Sequence, residues 1–128
     1  NLGFSPEQAT VQAQRALEQV GMAGAAEKKA PYHLSAGEKR RVALAGVLAM
    51  QPEILVLDEP TTSLDPPGQR ELVKLLRQLP QAKIVVTHDV DFAAALATRA
   101  VFFERGRIAA DGDVHAIIEQ FHWSRGAE

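Results

Sequence analysis

The stretch EILVLDEPTTSLDP, Glu53 to Pro66, decides the fold of this 128-residue chain. Ile54, Leu55, Val56 and Leu57 are four consecutive β-formers bounded by charge and turn residues, the pattern of a strand buried on both faces of a parallel sheet. Asp58 and Glu59 end the run and Pro60 follows at once, so two carboxylates stand at the strand tip. In open α/β sheets, ligands gather beyond the carboxyl ends of the strands, and adjacent acids there suit a phosphate carried with magnesium. Taken alone, the same residues also describe the start of a turn.

Outward from this strand, the chain alternates helix and strand. Upstream, Ser5-Pro6 opens a helix whose apolar positions Val11, Ala13, Ala16, Leu17 and Val20 run to Gly21, and residues 21–33 read as a connector. Ser35-x-x-Glu38 is a capping box that starts a second helix reaching about Met50, where Gln51-Pro52 ends it. Downstream of the loop Pro60 to Pro67, Leu72 to Leu79 form a third helix closed by Pro80, and KIVVTH is another short buried strand. Asp89 to Thr98 reads as a fourth helix. Two strands then meet in a tight hairpin at Arg105-Gly106, and Asp111-Gly112 turns into a last helix, Val114 to Phe121. This order predicts an α/β fold.

Composition narrows the function. A 46% hydrophobic and 23% charged chain of this length has the make-up of about one globular domain. The net charge of −2 provides no whole-chain attraction to nucleic acid, and no nucleic-acid partner is expected. Without cysteine there is no disulfide, thiolate metal site or cysteine nucleophile. The apolar run Val42 to Met50 is about half of the ~20 residues a membrane-crossing helix needs. His33, His115 and His122 share no metal-ligand spacing, and Tyr32 and Trp123 read as packing residues. Lys39-Arg40-Arg41 reads as a solvated helix face, with Arg41 the expected exception.

Four motifs now stand in order: Leu34-Ser35-Ala36-Gly37-Glu38, ILVLDEP, Ser63-Leu64-Asp65 and VVTHD ending at His88-Asp89. In this order and spacing they resemble the ATP-binding subunit of ABC (ATP-binding cassette) transporters: signature motif, Walker B strand, D-loop and switch histidine. The phrases NLGFSPEQ, LSAGEKRRVALAGVLAMQPEILVLDEPT and HDVDF look most like its cobalt/nickel and energy-coupling-factor importers. The resemblance implies a partial P-loop NTPase domain, with a helical signature subdomain over 1–50 and the C-terminal part of the ATPase core over 51–128.

It also implies ATP and Mg²⁺ as cofactors, with Asp58 as the metal-holding acid and Glu59 and His88 as catalytic residues. Ser35, Ala36, Gly37, Glu38 and Asp65 are the implied nucleotide contacts. The expected partners are a second ATPase subunit, paired head to tail, and a transmembrane subunit, on the cytoplasmic face of the membrane. The alternatives are a non-transport ABC ATPase and an inactive remnant that only pairs with a complete subunit.

Five departures matter. Ala36 stands for the family's glycine and Glu38 for its glutamine, and both are expected to be mild. No glycine is followed by lysine, so the phosphate-cradling G-x-x-x-x-G-K-[ST] loop does not occur. The Q-loop and the adenine-stacking aromatic also have no candidate. The chain therefore reads as the C-terminal part of a nucleotide-binding domain, beginning partway into something longer. By itself it is expected neither to bind ATP tightly nor to hydrolyse it, and to expose an unpaired sheet edge.

Overall fold

A computed structural model describes residues 3–24 and 30–121. Helix α1, Pro6–Gln19, is opened by Ser5, whose Oγ accepts from the Gln8 amide at 3.3 Å while Gln8 Oε1 accepts from the Ser5 amide at 2.9 Å. A 3₁₀ turn, Pro31–His33, precedes α2, Ala36–Leu48. The capping box forms as expected: Glu38 N–H to Ser35 Oγ is 3.2 Å and Ser35 N–H to Glu38 Oε2 is 2.8 Å. Each bond satisfies a backbone donor that a helix start otherwise leaves open.

Strand β1, Ile54–Asp58, leads through the Pro60–Asp65 loop to α3, Pro66–Gln78. Asp65 Oδ1 caps α3 by accepting from Gly68 N–H at 3.0 Å, and two prolines fill the first helical positions, where no amide partner is needed. Strand β2, Ala82–Val86, then α4, Val90–Leu96, repeat the pattern, with Asp89 as the cap. Strands β3, Arg99–Glu104, and β4, Arg107–Asp113, form the hairpin, and α5, Val114–Gln120, follows under an Asp113 cap.

β1 and β2 are parallel, in register from Ile54 opposite Ala82 to Asp58 opposite Val86. β3 and β4 make a separate antiparallel ribbon. Arg105 and Gly106 take φ of +49° and +75°, the paired left-handed geometry that suits a two-residue hairpin. Asp111 and Gly112 do not turn the chain as the sequence reading expects. They lie inside β4, opposite Val101 and Ala100, and the turn into α5 falls to Asp113. A forked pair across the ladder, Arg99 Nε and Nη2 to Asp111 at 2.7 and 2.5 Å, fits that extended path.

One buried cluster joins Ala16, Val20, Met22, Leu44, Ala45 and Leu48 to Leu55, Leu72, Leu76, Leu79 and Phe92. It covers one face of the parallel pair. Leu55 is 2% exposed, whereas Ile54, Val56, Ile84 and Val86 are 54–69% exposed, so the expected burial on both faces does not hold among the described residues. The apolar run is continuous, but the described helices bring apolar side chains to only one side of it. Tyr32 also departs from expectation: it is exposed, its ring edge-on to His33 at 4.5 Å between centroids. His122 and Trp123 lie outside the described residues.

Candidate functional site

The carboxyl ends of β1 and β2 place Asp58 and Val86 side by side, so the residues just beyond them, Glu59 and His88, meet. His88 Nδ1 lies 2.8 Å from Glu59 Oε1, and the His88 amide donates to the same oxygen at 3.2 Å. Thr87 Oγ1 donates to Glu59 Oε2 at 3.4 Å and accepts from the Asp89 amide at 3.0 Å. An ionised carboxylate only accepts, so Nδ1 carries the proton in this pair. The hydrogen bond to Glu59 and then the Glu59 charge, with a smaller contribution from Asp89, raise the proton affinity of His88 above the ordinary histidine value. The imidazole is largely exposed and Glu59 is half-buried.

The backbone beneath this pair is bent. Glu59 has φ +43° and Ser63 has φ +64°, conformations that cost non-glycine residues roughly 1–3 kcal/mol each. The Glu59 amide is held by the Val86 carbonyl at 2.8 Å, and the turn closes through Thr62 N–H to Glu59 O at 3.2 Å. Sequence reasoning misses one residue that reaches this turn. Arg40 donates from Nη1 to Pro60 O and from Nη2 to Thr62 O at 2.8 Å. Arg41 pairs instead with Glu71 on α3. The basic run is therefore not simply a solvated face. The signal was the spacing of Arg40, Leu44 and Leu48, which places the arginine on the inner stripe of α2.

The other expected site residues take no part in the hydrogen bonds between Glu59 and the 87–88 segment. Asp58 is exposed at the tip of β1, on the open side of the sheet. Ser35, Ala36, Gly37 and Glu38 form the start of α2, whose backbone donors and positive dipole end suit an anion. The Asp65 side chain is engaged in capping α3.

Residues 2–62 match a family model described as ABC transporter. The family that this segment matches is that of the ABC transporters. The whole described fold is that of part of an ABC ATPase cassette. It superposes on cbiO1 of Clostridium perfringens, part of the ABC transporter complex cbiONQ, with a TM-score of 0.81 and 33% identity, over 94% of this chain and 49% of that one. The dimeric bacterial ABC transporter cassette MJ0796 gives a TM-score of 0.69 and 28% identity over 88% of this chain and 50% of that one. Among curated relatives, the energy-coupling factor transporter ATP-binding protein EcfA2 of Methanospirillum hungatei is 50% identical over 115 residues, 88% of this chain and 29% of that protein. The chain spans about half the length of its first curated relatives, 49% and 47% of two of them.

Proposed function

We propose that the chain supplies the metal-holding acid, the water-orienting glutamate, the switch histidine and the signature helix of an ATP-hydrolysing ABC transporter subunit. The observation that carries this reading is the contact of Glu59 and His88 beside Asp58 at one end of the parallel pair. Glu59 would hold the attacking water and take its proton, and His88, doubly protonated as its raised proton affinity favours, would fix the carboxylate through Nδ1–H while Nε2–H donates to the terminal phosphate. Asp58 would give one carboxylate to Mg²⁺, an ion that usually takes one or two and completes its shell with phosphate oxygens and water. No group of three or more His, Asp or Glu that could hold a metal occurs among the described residues, and Asp58 would be the one carboxylate given to the ion in this reading. Bound Mg-ATP would supply the electrophilic phosphorus, and its Mg²⁺ would neutralise developing charge.

Ser35, Ala36, Gly37 and Glu38 would face a nucleotide held by a second ATPase subunit, paired head to tail, with Asp65 in the loop between the two sites. The dimeric state named for the MJ0796 cassette supports such a pair. Because no glycine-lysine step exists in these 128 residues, the phosphate cradle would come from outside them. Residues 1–50 would form the signature lobe and 51–128 the C-terminal part of the ATPase core. A transmembrane subunit would couple turnover to import of metal ions or vitamins at the cytoplasmic face of the membrane. The cbiONQ and energy-coupling factor relatives support that direction. No helix among the described residues is long and apolar enough to cross a membrane.

The test is Glu59→Gln in a transporter complex containing this sequence. Turnover of ATP is expected to fall about 10²–10⁴-fold with nucleotide binding retained, and wild-type turnover in that variant overturns the reading.

A further inference from the structure

Arg40 reaches from α2 to the turn that follows β1. It lies five residues into the helix opened by Ser35 and donates to two carbonyls of the turn that follows Glu59. A planar guanidinium fork matches two acceptors held at a set spacing, which a lysine ammonium does not. The turn needs such restraint. Proline restricts the backbone of the residue before it, yet Glu59 precedes Pro60 at φ +43°, and Ser63 is left-handed as well. Thr62 N–H to Glu59 O and Leu64 N–H to Thr61 O are local bonds that close the turn without tying it to the rest of the fold. Pro60 and Thr61, within the turn, are buried.

We propose that Arg40 is a positioning residue: by clamping the carbonyls of Pro60 and Thr62 it holds the 59–63 turn in its left-handed form and keeps Glu59 against Thr87 and His88. The clamp also joins two elements that the proposed function assigns to different nucleotides, the Ser35 helix and the Glu59 turn. A shift of α2 moves the guanidinium, the guanidinium moves the carbonyls, and Glu59 moves with them. Its consequence for hydrolysis rests on the function proposed above, whereas the clamp itself does not.

The test reads the geometry of Glu59 through His88, followed by NMR of the imidazole protons as pH is varied. The charged groups acting on His88 are Glu59 and Asp89. Arg40→Ala deletes a cation, which by charge alone makes a nearby histidine easier to protonate. Release of Glu59 does the opposite. The expected result is a midpoint that falls toward the ordinary 6.5, with left-handed backbone shifts lost at Glu59 and Ser63. An unchanged or raised midpoint overturns the clamp.

Arg41→Met, which removes the ion pair to Glu71, is expected to leave the midpoint in place. An equal fall there reports general loosening of α2 and also overturns the proposal. Arg40→Lys keeps the charge without the fork and is expected to fall part of the way. If Arg40→Ala does not fold, that variant decides, and a wild-type midpoint in it overturns the clamp. A chain that never turns over nucleotide gives the same titration, so the clamp and the functional reading fail separately.

Discussion

Leu55 and Val56 are consecutive residues of β1 and face opposite surroundings. Leu55 packs with Leu72, Leu76 and Phe92 in the buried cluster, while Val56 joins Ile54, Ile84 and Val86 on an exposed apolar face that ends at Asp58. Both faces are built from the same residue types, so the difference lies in what the described residues place over them. Unburied apolar surface on a short parallel pair invites association, because burial contributes roughly 25 cal/mol per Å². The comparison also orders the chemistry: Asp58 shares the open face, and any body that covers that face arrives beside the proposed metal-holding acid.

The strongest way to break this contrast is a matched pair of truncations in one strand. Leu55→Ala is expected to destabilise the chain by about 2–5 kcal/mol in urea unfolding, as deletion in a packed core does. Val56→Ala is expected to cost less than about 1 kcal/mol. Equal losses would mean that both faces are packed in solution. Lys83 sharpens the covered side: it lies opposite Leu55 and donates from Nζ to Leu79 O at 2.7 Å and Gln81 O at 2.6 Å, at the end of α3. Lys83→Met should lower stability by about 1 kcal/mol through loss of those bonds.

On the open side, Ile84→Lys is expected to change unfolding free energy by no more than about 0.5 kcal/mol while reducing self-association in light scattering. Unfolding of that variant would show that the face is covered after all. The smallest effects are those of pH, since the groups involved are exposed. His88 binds its proton more tightly in the folded chain because of the hydrogen bond to Glu59 and the charge on it. That contribution is complete below the ordinary value near 6.5 and is lost as pH rises through the elevated folded midpoint. Asp111 is the reverse case, its carboxyl held below the usual value first by the hydrogen bond from Arg99. Its contribution is present above the ordinary carboxylate range and lost as pH falls through the depressed value. Glu59→Gln should flatten the alkaline side of a stability profile and Asp111→Asn the acid side.

Much of this fold is legible from short-range chemistry. Ser35-x-x-Glu38 caps α2 where the spacing predicts, and Arg105-Gly106 turns the hairpin, because each feature depends on residues within a few positions of one another. Gln8 completes a second capping box by the same rule, although the opening Ser5-Pro6 alone signals that helix. Asp111-Gly112 misleads because a turn-forming pair is also tolerated in a strand when its partner strand supplies the hydrogen bonds. Arg40 is obscured by its basic neighbours, and only its spacing from Leu44 and Leu48 separates it from a solvated run.

The order and type of the elements, the caps, and the carboxylates at the end of β1 follow from sequence by itself, since propensity and hydrogen-bond capping act over one or two turns of chain. Contact between Glu59 and His88, 29 positions apart, and the grip of Arg40 on Pro60, 20 positions away, were decided by tertiary structure. So was the choice of which face of β1 and β2 is covered. Those outcomes depend on how the helices close over the sheet, and an apolar run such as Ile54 to Leu57 reads the same whether one side of it or both are packed.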